Sequence, residues 1–91
     1  MVETAVWELL FTKQALKDAQ YLSRAGLKGG GQKLLDVLRA NPFQSPPPYE
    51  KLSGNLDGAY SRRINLKHRL VYSVHTKEHY VRVIRMWSHY E

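Results

Sequence analysis

The chain of 91 residues is 43% hydrophobic and 24% charged, with a net charge of +6, which is typical of one folded domain and not of a disordered chain. The lack of cysteine excludes disulfides and thiolate metal sites. The apolar run near the N-terminus is too short for a membrane span and lacks the basic start of a secretory signal, so we expect a single cytoplasmic domain over residues 1–91.

A strand and a helix are predicted first. The apolar stretch Val6–Thr12 is typical of a strand. Thr12 is a good N-cap for a helix over residues 13–26, and Gly26 suits the C-terminal end of that helix.

A glycine-rich segment and a second helix follow. The glycines of Lys28–Gln32 predict a flexible break. Residues 32–41 place three leucines on one face of a helix that ends before Pro42. Because each helix has a single apolar stripe, both should pack on the same face of a sheet.

The rest of the chain predicts strands. Asn41–Glu50 contains all four prolines and is expected to be a stiff connector. Strands are predicted at Ala59–Asn65, His68–His75 and Tyr80–Trp87, with a short extra strand near Lys51–Ser53. The order β-α-α-β-β-β, with the extra strand, predicts an α+β two-layer domain in which two helices cover an antiparallel sheet.

The first predicted hairpin carries arginines where a sheet should build its core. Alternation places Arg62 with Ile64 on one side of the sheet and Arg63 on the other. A two-residue loop pairs Arg63 with Leu70 and separates Arg63 from Arg69. A three-residue loop or a bulge instead sets Arg63 and Arg69 side by side on the face that the helices leave open. The sequence allows both registers, and it leaves open whether Arg62 or Arg63 faces RNA.

Positive charge is concentrated in the same half of the chain. Residues 51–91 carry eight Lys and Arg against three Asp and Glu, together with all four histidines, whereas residues 1–50 carry six against five. A basic half favours a polyanionic partner, with nucleic acid ahead of acidic protein or anionic lipid.

A carboxylate, two arginines and an imidazole in or next to this half of the chain could act together on RNA. Glu50 ends the connector, Arg63 and Arg69 lie in the hairpin, and His89 follows the last strand. A carboxylate can take the proton of a ribose 2′-hydroxyl, guanidiniums can neutralise the phosphorane, and an imidazolium can protonate the departing 5′-oxygen. Such a set needs neither a metal nor a cofactor.

Taken in order, these residues resemble those of a known family. The series LDGAYSRRINLKHRLVYSV, with a terminal HY, an NPF after the second helix and an E-x-L before the turn, is similar to the Txe/YoeB branch of the RelE-like toxins of bacterial type II toxin–antitoxin modules. The resemblance implies a RelE-like, microbial-RNase-like fold and a ribosome-dependent mRNA endoribonuclease that cuts the codon in the A site. It also implies an antitoxin of the YefM/Axe type, whose acidic C-terminal segment binds over the active face, and a capacity to form homodimers.

The resemblance assigns roles to individual residues. Glu50 matches the general base, Arg69 the arginine that stabilises the transition state, and Arg63 a supporting phosphate contact. His89 matches the general acid, and Tyr90 matches the tyrosine that orients the substrate. Further candidates for RNA contacts are Lys51, Arg62, Lys67 and His68.

Two positions depart from the family pattern, and two rival functions remain open. Ser53 stands where relatives often have a lysine, and Glu91 follows the terminal tyrosine.

The main rival function is that of a ParE-like toxin that poisons DNA gyrase through protein contacts, although such a toxin does not need an acid and a base beside arginines. The second rival is a basic RNA-binding module, which would bind RNA without cutting it.

Overall fold

The computed structural model describes the backbone of residues 6–54 and 58–88 and the side chains of residues 6–54 and 58–86. The elements in these ranges are β1 (Glu8–Phe11), α1 (Lys13–Arg24), α2 (Lys28–Ala40), β2 (Glu50–Lys51), β3 (Ala59–Arg63), β4 (Arg69–His75) and β5 (Tyr80–Ser88). The expected α+β order is confirmed, and β2 is the short extra strand, which starts one residue earlier than predicted.

The sheet is mixed, which corrects the expectation of an antiparallel sheet. Its described strands lie in the order β1-β5-β4-β3-β2, and β1 runs parallel to β5 with Leu9 opposite Val81, whereas the other neighbours are antiparallel. The helix pair carries the chain from β1 at one edge of the sheet to β2 at the other, and the three strands that follow return across the sheet to β1. Thr12 extends this contact, because its N–H donates to the Val83 carbonyl at 3.1 Å and its hydroxyl to the Ile84 carbonyl at 2.8 Å.

Helix α1 begins and ends with the signals that the sequence predicts. Thr12 has extended backbone, and its side-chain oxygen accepts the N–H of Ala15 at 3.0 Å, which satisfies an amide of the first turn. Gly26, at a φ of +76°, lies in the left-handed region just after the helix. The Thr12 hydroxyl therefore caps the helix and joins it to the sheet.

The glycine-rich segment is helical, which corrects the prediction of a flexible break. Helix α2 starts at Lys28 and includes all three glycines. A β-carbon added at Gly31 would lie 3.2 Å from Leu22 Cδ1 and 3.6 Å from Met86 Cε. The close packing of α2 against α1 and β5 offsets the cost of glycine in a helix, which is ~1 kcal/mol relative to alanine.

The core lies between the two helices and one face of the sheet. Its buried side chains come from both layers and are Ala15, Leu22, Leu34, Leu38, Leu70, Tyr72, Val81, Val83 and Met86. Because side chains alternate along a strand, their neighbours point to the opposite face. We call that face, which bears Glu50, Ser61, Arg63, Arg69, Ser73 and Arg82, the open face.

A buried carboxylate links α1 to β5. Asp18 Oδ2 accepts hydrogen bonds from Arg85 Nε at 2.8 Å and from the Met86 N–H at 2.9 Å, and Oδ1 accepts from Gln14 Nε2 at 2.9 Å. Burial acts to raise the pKa of Asp18, but these hydrogen bonds and the charge of Arg85 outweigh it, and the pKa lies below its ordinary value. The link anchors the last part of β5 to the helix layer.

Candidate active site

The β3–β4 hairpin sets two arginines side by side on the open face. Arg63 is the register partner of Arg69. The N–H of Ile64 donates to the carbonyl of His68 at 2.8 Å, so Asn65–Lys67 form a three-residue loop. Of the two registers that the sequence allowed, the one with paired arginines is observed.

Glu50 brings a carboxylate to these arginines. Pairing of β2 with β3 puts Glu50 opposite Ser61. Arg69 Nη1 donates to Glu50 Oε1 at 2.6 Å and to Ser61 Oγ at 3.2 Å. The Arg69 side chain is 16% exposed and that of Glu50 is 66% exposed, so the guanidinium is held by the sheet while the carboxylate reaches solvent.

Ser61 was not among the predicted site residues. It alternates with Arg63 on β3, and its hydroxyl accepts a hydrogen bond from Arg69. Strand alternation with a candidate arginine is the sequence signal that could have identified it.

The site is a cleft of about 140 Å³ on the open face. Its lining residues are Pro47, Pro48, Glu50, Ser61, Arg63 and Arg69. The proline connector thus forms one wall and ends in the carboxylate. A phosphate in this cleft would meet two guanidiniums next to a potential proton acceptor.

Arg62 is buried, which corrects its prediction as an RNA contact. It is 1% exposed, and its guanidinium donates to the Tyr72 hydroxyl at 3.0 Å, to the Pro42 carbonyl at 2.9 Å and to the Pro47 carbonyl. The Tyr49 ring centroid lies 4.8 Å from Arg62 Cζ. Arg62 therefore ties the connector to the sheet and positions the proline wall of the cleft.

Two further predicted RNA contacts also lie away from the cleft. His68 is 6% exposed, so its ring is buried and is not presented to RNA. Its backbone N–H donates to Asn65 Oδ1 at 2.8 Å and helps to close the hairpin. Lys51 is paired with Tyr60, which packs against the core, so its side chain alternates away from the open face. Lys67 is exposed in the hairpin loop, and its contact with RNA stays a prediction.

The predicted acid and the terminal tyrosine, His89 and Tyr90, lie outside the described residues, as does Glu91. Strand β5 does, however, lead to the cleft. Its last residue, Ser88, is the register partner of Arg69. The chain therefore reaches the arginine pair one residue before His89.

A larger groove of about 360 Å³ lies between α1 and α2, and its lining, which includes Phe11, Leu16 and Leu35, contains no Asp, Glu or His. Residues 6–54 and 58–88 hold no group of three or more His, Asp or Glu that could bind a metal ion. Neither described helix combines the length and apolar character needed to cross a membrane.

Comparison with known proteins identifies the family of the chain. Residues 11–90 match the family described as the YoeB-like toxin of bacterial type II toxin–antitoxin systems. The chain belongs to this toxin family. A curated relative, Toxin YoeB from Synechocystis sp., is 36% identical over 58 residues. That match covers 64% of this chain and 65% of the relative, slightly less than two thirds of its length.

This YoeB-like toxin shares its fold with solved structures. The YoeB/ParE toxin from Agrobacterium tumefaciens gives a TM-score of 0.81 at 29% identity, over 91% of this chain and 99% of that chain. YoeB from Staphylococcus aureus, solved in complex with YefM and as a dimer, gives TM-scores of 0.76 and 0.77 at 32% identity. Those two matches cover 92% of this chain and 98% of the other chain. The RelE-like fold expected from the sequence is thereby confirmed.

Proposed function

We propose that this YoeB-like toxin is a ribosome-dependent endoribonuclease that cuts mRNA in the ribosomal A site and so inhibits translation. The observation that carries the proposal is the ion pair of Glu50 with Arg69, with Arg63 beside it in one cleft. A carboxylate next to two guanidiniums suits a reaction in which a proton is removed while negative charge builds up on a phosphate. A toxin that acts only through protein contacts does not require this set.

Each group has a defined step in the proposed reaction. Glu50 takes the proton of the ribose 2′-hydroxyl, and the 2′-oxygen attacks the adjacent phosphorus. Arg69 and Arg63 stabilise the negative charge of the phosphorane. His89 donates a proton to the 5′-oxygen as the bond from phosphorus to that oxygen breaks, and Tyr90 orients the substrate. The products are a 2′,3′-cyclic phosphate and a free 5′-hydroxyl.

Substrate binding changes the partner of Arg69. In the unbound toxin the guanidinium is neutralised by Glu50 at 2.6 Å. An incoming phosphate competes for the same donor, and when it displaces the carboxylate, Glu50 becomes available to accept the hydroxyl proton. Ser61, at 3.2 Å from the same nitrogen, keeps the guanidinium in place during this exchange.

The proposed partners follow from the family and from charge. The S. aureus relative is solved with YefM and as a dimer. We extend both assemblies to this chain and propose an antitoxin whose acidic segment covers the arginines of the open face. The mRNA and the ribosomal A site are the partners in the reaction, which places the toxin in the cytoplasm.

Primer extension on mRNA bound to ribosomes tests the proposal. The parent toxin should produce cuts within the A-site codon, and these should disappear for Glu50→Ala and His89→Ala. Glu78→Ala is a matched control, because Glu78 is an exposed carboxylate in the β4–β5 turn. Circular dichroism of each variant shows whether the fold persists.

The outcomes also separate the rival functions. Cleavage that continues in folded Glu50→Ala would refute the assigned base. Growth arrest that survives both substitutions would favour a ParE-like toxin that acts by protein binding. Tight RNA binding by the parent toxin without any cleavage on ribosomes would favour the basic RNA-binding module.

A further inference from the structure

A second group of polar side chains lies on the open face, farther along β4 from the cleft. Ser73 is four residues beyond Arg69 in the same strand, and Arg82 of β5 is its register partner. The next pair on this face is His75 with Tyr80. The roles proposed for the cleft do not use these four residues.

Arg82 lies on an interior strand of the sheet, and its side chain is exposed to solvent. Strand β5 has β1 on one side and β4 on the other, so protection of a sheet edge does not explain a charged side chain there. Within the residues whose side chains are described, neither Arg82 nor Arg63 forms an ion pair, whereas Arg69 is paired with Glu50. The guanidinium of Arg82 is therefore available to a phosphate.

An ordered aromatic pair adjoins Arg82. The rings of His75 and Tyr80 are stacked, with centroids 4.3 Å apart and planes 11° apart. Ser73 Oγ and His75 Nε2 are hydrogen-bonded at 3.0 Å, which restrains the imidazole. Both rings are half-buried and leave part of their surface to solvent, where a nucleobase can pack.

The distance between the cleft and the Ser73–Arg82 pair indicates how both can bind the same RNA strand. Four residues of a strand span ~13 Å of backbone. Because hydrogen bonds hold the Arg69 guanidinium beside Glu50 and Ser61, a phosphate in the cleft is separate from one bound by the Ser73–Arg82 pair. An RNA strand with one phosphate in the cleft must extend by further nucleotides along the open face to reach Arg82. Glu8, exposed on β1 opposite Tyr80, limits the favourable path on the far side, because its carboxylate repels phosphate.

We infer that Ser73, His75, Tyr80 and Arg82 form a second nucleotide-binding subsite for single-stranded RNA on the open face. Arg82 contacts a phosphate on one side of the bond to be cut, and the His75–Tyr80 pair packs against the base of that nucleotide. This inference rests on the proposed function, since it assumes that the cleft holds the phosphate that reacts. The subsite sets the register of the RNA relative to Glu50.

The experiment compares the binding of short and long RNA. Fluorescence anisotropy with 2′-O-methylated dinucleotide and octanucleotide RNA, which cannot be cut, gives the dissociation constant over a range of salt concentrations. For the octanucleotide, Arg82→Gln should reduce the slope of log K against log salt by ~0.7, the value for one lost phosphate contact in a single strand. Tyr80→Leu should weaken octanucleotide binding by ~5- to 150-fold, the range for loss of one base stack. Neither variant should change binding of the dinucleotide, which fills only the cleft.

Arg39→Gln provides the matched control, because Arg39 is exposed at the end of α2, away from the open face. Equal slopes for Arg82→Gln and the parent toxin, or an equal loss with Arg39→Gln, would overturn the subsite. Failure of the parent toxin to bind the octanucleotide more tightly than the dinucleotide would overturn it as well.

The cleavage assay with Glu50→Ala tests the chemistry separately. A subsite that fails while Glu50→Ala abolishes cleavage leaves the proposed function intact. If Glu50→Ala still cuts, the assigned chemistry fails, whatever Arg82 contributes to RNA binding.

Discussion

Arg62 and Arg63 are adjacent in β3, but they lie on opposite faces of the sheet and have opposite environments. Arg62 is 1% exposed, and its guanidinium donates hydrogen bonds to the proline connector and to the Tyr72 hydroxyl. Arg63, in contrast, is exposed beside Arg69 in the cleft. The same residue type therefore stabilises the fold at one position and is available to substrate at the next. This contrast allows folding and catalysis to be tested with neighbouring substitutions.

Arg62→Ala should lower the free energy of unfolding by about 3 kcal/mol or more, because it leaves buried carbonyl and hydroxyl acceptors without their donor. Arg63→Ala should change this free energy by no more than about 0.5 kcal/mol, since the side chain is exposed, and should instead reduce cleavage. Urea denaturation and the ribosome cleavage assay provide the two measurements. The assignment is wrong if Arg62→Ala unfolds like the parent toxin.

Arg69→Lys should reduce the rate of cleavage by ~10²–10³-fold, because lysine keeps the charge but loses the planar fork that holds the phosphate. The rate is measured under single-turnover conditions on ribosomes loaded with mRNA. Arg39→Lys, the same exchange at an exposed site on α2, should react at the parental rate. A fully active Arg69→Lys would show that only the charge at this position is needed.

Asp18 should make stability depend on pH in the acid range. Because its folded pKa is lowered, the unfolded chain binds the proton more readily, and stability rises with pH near pH 4. The contribution is present above the unfolded pKa, about 3.9, and is lost as pH falls through the folded pKa. The difference in unfolding free energy between the parent toxin and Asp18→Asn should therefore be largest near neutral pH and shrink on acidification.

Thermal or urea unfolding over a pH series measures this difference. Asp36→Asn is the control, since Asp36 is an exposed carboxylate on α2 that accepts a hydrogen bond from Gln32. Its substitution should have a smaller effect at every pH. A difference for Asp18→Asn that stays constant through the acid range would contradict the assigned linkage.

The glycines of α2 should respond differently to alanine. Gly29→Ala meets open space and should stabilise the toxin by up to ~1 kcal/mol through helix propensity. Gly31→Ala puts a methyl group 3.2 Å from Leu22 Cδ1, so crowding should cancel or exceed the same gain. Melting temperatures should therefore rank Gly29→Ala above Gly31→Ala. The reverse order would show that α1 and α2 can separate at little cost.

Local patterns predicted much of the fold and part of the site. The N-cap at Thr12, the stop at Gly26 and the three C-terminal strands follow from side-chain chemistry and periodicity, and the structure confirms them. The glycine-rich start of α2 was mispredicted, because the low helix propensity of glycine is overridden there by packing against Leu22 and Met86.

The position of Glu50 could not be derived from local patterns. Its contact with Arg69 joins residues 19 positions apart and depends on pairing between β2 and β3. Neither Glu50 nor Arg69 carries a sequence signal for this pairing beyond resemblance to the toxin family.

The sequence by itself determined the α+β class, the order of the elements and the residue types available for acid–base chemistry on RNA, because composition and periodicity act within a few residues. Only the tertiary structure decided that β1 runs parallel to β5, that Arg63 rather than Arg62 faces the cleft, and that Arg63 and Arg69 are paired. These features depend on strand register and on contacts between distant segments. A shift of one residue moves every side chain of a strand to the other face, so the site exists only in the register that the complete core selects.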